Sequence, residues 1–165
     1  MEFRTVDRFT TPIRLLLAGY ADPGVVEAVG PLPPLSAGEL LEHGRRGDTV
    51  TTCVRYAYLG DLPPGASRLV DPARLSWVQV TELDLAERRS RVSLRPDDYA
   101  DRLDARATQR FEPAPGDRTV RTVEGELRVH VPVVGRAVER ALVAGLTEWL
   151  SAEAAAVDRW ASTGR

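Results

Sequence analysis

Few residues in this sequence have a type and spacing that could do chemistry, and most of those fall on one strand and one helix. Glu153 lies four residues after Trp149 and four before Val157, so it puts a carboxylate into an apolar helical stripe. In a dry site such a group holds its proton to higher pH and serves as an acid/base group or as an anchor for a ligand's polar end. The expectation is the plainer one: the helix runs past the sheet edge, and Glu153 is wet or paired with an arginine. Tyr56 and Tyr58 are two apart and share one strand face, so both hydroxyls can orient a ligand, although core aromatics with hydroxyls at the rim satisfy the same spacing. Gln79 offers an amide to a polar ligand group, or sits outside if Val78 and Val80 take the buried side of their strand.

The remaining reactive residue types give less. Cys53 stands between Thr52 and Val54 with no cue for an activated thiol, and is expected to be a small packed or outward-facing group. His43 and His130 fit no zinc spacing, and His130 shares the wet side of its strand with Arg128, so neither metal nor cofactor is expected. The sequence has no glycine-rich phosphate loop and no nucleophile elbow. All 22 basic residues are arginine, which removes Schiff-base lysine chemistry. Arg46-Gly47-Asp48 reads as a hairpin turn. The run Glu87-Arg88-Arg89-Ser90-Arg91 reads as a solvated strand end, with docking of an acidic partner as the weaker alternative.

The elements that must position these residues follow from hydrophobic periods. Glu2 to Phe9 alternates, with Phe3 and Phe9 on one side, as a strand with one wet face does. Thr11-Pro12 and Asp22-Pro23 each offer an N-cap followed by a proline, and two short helices follow, ended by Gly30 and the prolines after it. Leu40–Arg46 and Thr49–Leu59 form a hairpin across Gly47-Asp48. Gly60 to Ser76, with Pro63, Pro64, Gly65 and Pro72, is a long connection. Four further strands are expected at Trp77–Asp84, Arg88–Arg95, Arg102–Glu112 and Arg118–Val131. Val133 to Ala161 is an amphipathic helix about 40 Å long. Its apolar stripe runs through Val138, Leu142, Leu146, Trp149 and Val157, with Arg136, Arg140 and Asp158 on the wet side.

A chain of 165 residues with 43% apolar content is expected to form a single domain over 1–165. The 22 bases against 24 acids leave a net charge of −2, which argues against sequence-independent nucleic-acid binding. One cysteine forms no internal disulfide, no apolar run is long enough for a membrane span, and the amino terminus does not read as a signal peptide. The expected location is cytoplasmic, and the expected state is monomer or homodimer.

Strand, two short helices, six strands and a long helix make an α+β chain whose curved antiparallel seven-stranded sheet wraps round its last helix, because neither element buries its apolar face alone. This order resembles the helix-grip fold of the START-like (SRPBCC) superfamily. The passage Leu127-Arg128-Val129-His130-Val131-Pro132-Val133-Val134-Gly135, followed by Val138-Glu139, is similar to the strand-to-helix junction of an actinobacterial branch of unknown function, as is Leu62-Pro63. Pro64 to Ser76 departs from that pattern.

The resemblance implies a cavity between sheet and helix for a lipid, sterol or polyketide-like molecule, in keeping with the apolar inner faces. The expected walls are Val54, Tyr56 and Tyr58 on the third strand, and Trp77 and Gln79 on the fourth. Leu103 and Ala105 on the sixth strand join Leu127 and Val129 on the seventh. Leu142, Leu146, Trp149 and Glu153 complete the wall from the helix. Small residues at Ala105, Ala107 and Gly125, where a tight core prefers bulk, are expected to leave a ligand-sized space. An aromatase/cyclase or dehydratase enzyme, which the resemblance allows, is the second expectation; the sequence offers Glu153 and the tyrosines but no convincing acid/base pair, so no catalytic residue is assigned. A protein-interaction module of cochaperone type is the third.

Overall fold

The computed structural model describes residues 1–163. Its strands are β1 (Glu2–Phe9), β2 (Glu39–Arg46), β3 (Thr49–Ala57), β4 (Ser76–Asp84), β5 (Arg89–Pro96), β6 (Leu103–Ala114) and β7 (Arg118–Val129). The helices are α1 (Ile13–Ala21), α2 (Gly24–Val29) and α3 (Gly135–Ala161). All seven strands lie in one antiparallel sheet of order β1-β7-β6-β5-β4-β3-β2, with α3 packed against β1, β7, α1 and α2. The fold is the expected α+β arrangement, an open curved sheet closed over a long C-terminal helix. No described helix is long and apolar enough to cross a membrane.

Turn chemistry sets the register. Gly47 takes φ +60 at the first position of the two-residue β2–β3 turn, a conformation that favours glycine. Val50, Thr52, Val54 and Tyr56 then face inward, opposite Leu83, Thr81, Gln79 and Trp77 of β4. That register places Gln79 on the inner face and Val78 and Val80 on the outer one. The pairing of β5 with β6 ends at Ser93 and Arg106, although β5 continues to Pro96 and β6 begins at Leu103, so the two strands part there. The 60–75 connection contains two short 3₁₀ turns, Ala66–Arg68 and Pro72–Arg74.

Two local expectations are corrected. Thr11 does not cap α1; its Oγ1 donates to the Asp158 carbonyl and its N–H to Asp158 Oδ1, while Pro12 occupies the N-cap position. Asp158, expected on the wet side of the helix, is partly buried and hydrogen-bonded. Its carboxylate accepts from the backbone and hydroxyl of Thr10 as well, tying the end of α3 to the β1–α1 junction. Burial of Asp158 favours the protonated form, but the bonds donated by Thr10 and Thr11 outweigh it and hold the carboxyl below its ordinary value.

The small residues of β6 and β7 also have a packing role. A methyl at Gly125 would lie 2.5 Å from Phe3 Cζ and 2.9 Å from Ala107 Cβ. Phe3 of β1 is seated over that depression, so much of the space expected to be open is filled by its ring.

The apolar core forms two clusters. One gathers Tyr56, Trp77, Leu127, Leu142 and Trp149, and the other Phe9, Leu16, Phe111 and Val157. Trp149 and Leu150 belong to the first and Ala154 to the second, so the seam crosses α3 at Glu153.

Candidate functional site

The seam is held by charge. Arg121 follows the inward alternation of Thr119, Val123 and Leu127 along β7 and is fully buried, at 0% exposure. Asp7 points inward with Phe3 and Phe9 on the neighbouring β1. Arg121 Nε and Nη2 donate to Asp7 Oδ2 at 3.1 and 2.8 Å, and Nη2 also donates to the Leu150 carbonyl at 3.0 Å. Nη1 donates to Glu153 Oε2 at 2.7 Å and to the Tyr20 hydroxyl at 2.8 Å. The five N–H donors of a guanidinium are thus all engaged. The Tyr20 hydroxyl in turn donates to Glu153 Oε2 at 3.2 Å.

This corrects the expectation for Glu153. The helix does not run past the sheet, and the carboxylate is 8% exposed, as is Asp7. The pairing with an arginine is present, but in the interior. Burial alone would lower the Arg121 pKa; the charges of Glu153 and Asp7 outweigh it and hold the guanidinium above its usual value. Burial pushes the Tyr20 phenol well up, Arg121 opposes that, and Glu153 adds to it.

Two cavities adjoin this cluster, and Gln79, Gln109, Trp149 and Glu153 are walls of both. The first, of about 80 Å³, lies toward α1 and α2 against Tyr20, Tyr56, Ser90 and Phe111. The second, of about 60 Å³, lies where β5 and β6 part, against Phe3, Trp77, Leu94, Val123 and Leu146. Each is several-fold below the roughly 300–1,000 Å³ of sites that enclose drug-sized ligands. Together they approach the volume of about 150 Å³ that takes a benzene ring in an engineered apolar cavity.

The walls carry unmet polar groups. Trp77 Nε1, Ser90 Oγ and Trp149 Nε1 are buried without a hydrogen-bond partner among the described residues. Such groups are uncommon in native interiors and each calls for an explanation. The Tyr56 phenol, edge-on to Trp149 with ring centroids 5.5 Å apart, is pushed up by burial and then by the Glu153 charge.

A larger groove of about 860 Å³ runs over the outer face of β1, β7, β6 and β5. It is open, and its arginines are already paired across strands: Arg4 with Glu124, Arg106 with Glu126 and Arg91 with Glu82. Exposed pairs of this kind hold little energy and leave little net charge for a partner.

Residues 6–161 match the model of the family described as "Protein of unknown function (DUF2505)". The chain belongs to this family. No curated protein matches this DUF2505 chain by sequence. Among solved structures it is similar to TTHA0849 from Thermus thermophilus, at 14% identity and TM-score 0.69 over 99% of each chain. It is similar to the ZhuI aromatase/cyclase from Streptomyces sp. R1128 at 17% identity and TM-score 0.65, covering 98% of this chain and 93% of that one. Norcoclaurine synthase from Thalictrum flavum, as a point mutant with a transition-state analogue, gives 18% identity and TM-score 0.69 over 99% and 95%. At these identities the likeness shows the shared helix-grip fold.

Within the DUF2505 fold, the sequence-predicted wall residues divide. Val54, Tyr56, Trp77, Gln79, Ala105, Leu146, Trp149 and Glu153 line one or both cavities. Tyr58, Leu103, Leu127, Val129 and Leu142 do not; they pack in the solid part of the first core cluster. The Tyr58 hydroxyl donates outward to the Asp61 carbonyl at 3.4 Å. Arg121, Asp7, Tyr20, Ser90 and Gln109 were missed. Residues two apart share a strand face, which aligns Arg121 with Val123, Asp7 with Phe9, and Gln109 with Ala107 and Phe111, but parity alone does not mark a charged side chain as buried.

Proposed function

We propose that the chain binds a lipophilic small molecule between the sheet and α3, without catalysis or with weak catalysis. The observation that carries this reading is the pair of adjoining cavities, walled by aromatic and aliphatic residues and edged by buried polar groups without a hydrogen-bond partner among the described residues. A few convergent polar groups in an apolar cavity is the usual composition of a ligand site. The volume favours the small end of the class, a single-ring or short-chain molecule over a sterol. An actinobacterial source and a cytoplasmic location remain part of this proposal, the first on the all-arginine composition.

The test is native mass spectrometry on protein purified from its own host, followed by a thermal-shift panel of small apolar compounds on delipidated protein. A copurifying mass increment and a rise in melting temperature with at least one compound are expected, since a ligand that binds only the folded state stabilises it. No increment and no shift across the panel would overturn the reading.

Polyketide-type or dehydratase acid/base catalysis has weaker support. Glu153 Oε2 already accepts from Arg121 and Tyr20, and burial leaves the Tyr20 and Tyr56 phenols poorer proton donors than an ordinary tyrosine.

A further inference from the structure

The charges around the cavities specify more than an apolar guest. Asp7 and Glu153 share one cation, Arg121, so the buried cluster holds two carboxylates against one guanidinium. Of these three charged residues, only Glu153 is a cavity wall. Its Oε2 accepts from Arg121 and Tyr20, whereas its Oε1 has no partner among the described residues. Two aromatic pairs line the same cavity beside it: Tyr20 with Phe111, centroids 5.3 Å apart, and Tyr56 with Trp149, centroids 5.5 Å apart.

A carboxylate oxygen among aromatic rings is suited to an ammonium, which draws on both the charge and the negative ring faces. An anion would add to an excess of negative charge already out of water, where Coulomb repulsion is strong. A neutral guest would leave that excess uncompensated. We infer that the guest is a small organic amine: its ammonium sits against Glu153 Oε1 among Tyr20, Tyr56, Phe111 and Trp149, and its apolar remainder enters the cavity beside Val123 and Leu146.

This inference rests on the binding reading above and adds the ligand's charge to it. The second cavity suits the apolar end: Phe3, Val92, Leu94, Val123 and Leu146 are among its walls, and the cation that also borders it, Arg106, is exposed and paired with Glu126. Burial and the Glu153 charge push the Tyr20 and Tyr56 phenols up, so neither adds a competing negative charge.

Benzylamine, benzyl alcohol and benzoate test the inference, being single-ring probes of similar size and different charge. In calorimetric titrations of the whole chain at neutral pH, benzylamine is expected to bind at least about tenfold tighter than benzyl alcohol, with no binding of benzoate. Alcohol binding as tight as the amine, or binding of benzoate, overturns the cation assignment and leaves the cavity reading standing. Failure of all three overturns both. In Glu153→Gln the amine's advantage over the alcohol is expected to vanish. That change also weakens the Arg121 cluster, so Tyr56→Leu, outside the ion pairs, supplies a second variant. There the amine is expected to weaken several-fold while the alcohol holds. An undiminished amine preference in both variants, or in Tyr56→Leu alone if Glu153→Gln does not fold, counts against the assignment.

Discussion

Arg121 on β7 and Glu153 on α3 meet at 2.7 Å in the interior, where the two apolar clusters of the core abut. With Asp7 on the other side of the guanidinium, one arginine links β1, β7 and α3. The helix is thus docked by charge at the level of the cavities and by apolar packing above and below.

Removing the shared cation is expected to be severe. Arg121→Met leaves two buried carboxylates without their partner, and losing one member of a buried pair costs about 3–5 kcal/mol. Urea unfolding followed by circular dichroism checks this through a lowered midpoint. A loss under about 1 kcal/mol would mean that water, not the interior, solvates these carboxylates.

Asp158 should make acid stability depend on one helix end. Its folded-state pKa lies below the ordinary carboxylate value. The stability it contributes is therefore fully present above the unfolded-chain value of about 3.9 and is lost as pH falls through the lower folded value. Asp158→Ala is expected to cost about 1–3 kcal/mol at neutral pH. The gap between variant and wild type should close on acidification below about pH 4. A gap that stays constant in a series of denaturant melts from pH 7 to 3 would contradict this.

Gly125 is expected to accept no side chain cheaply. The Cβ of Gly125→Ala would stand 2.5 Å from the Phe3 ring and 2.9 Å from Ala107 Cβ, forcing Phe3 to move. Overpacking of this kind costs about 1–3 kcal/mol, readable as a lowered melting temperature. Double substitution with Phe3→Leu should recover part of the loss. If it does not, Phe3 is not the obstacle.

Ser90 makes a contrasting case, since its hydroxyl, in the wall of the first cavity, is buried without a partner among the described residues. Ser90→Ala is expected to leave stability unchanged or raise it slightly, by up to about 1 kcal/mol, because a desolvated unpaired group is removed. Chemical denaturation of the unliganded protein measures it. A loss of more than about 1 kcal/mol would show that the hydroxyl has a bound partner.

The element order was legible because hydrophobic period and turn residues agree along the chain: Gly47-Asp48 and Gly116-Asp117 mark hairpins, and the stripe from Val138 to Val157 marks a long helix. The ionic centre was not, for a physical reason. An arginine in an alternating strand reads as a surface residue until its partners are known, and those of Arg121 lie 114 and 32 residues away. The same limit applies to Thr11, where local capping rules were overridden by the distant carboxylate of Asp158. Gly125 was visible as a small residue, but the ring that fills the space above it belongs to a neighbouring strand. Tyr56 and Gln79 were found by strand parity, which also admitted Tyr58, one step too far along β3 to reach the cavities.

Entry of a guest between the sheet and α3 is reported directly by the three tryptophans. Trp77 and Trp149 are cavity walls whose indole N–H groups have no partner among the described residues, whereas Trp160 packs against the α1–α2 face at Gly19 and Gly24. In a ¹⁵N–¹H spectrum, titration with benzylamine should move the indole signals of Trp149 and Trp77 together along one saturating curve and leave Trp160 in place. Movement of Trp160 alone, or of no indole signal at saturating probe, would contradict an interior site.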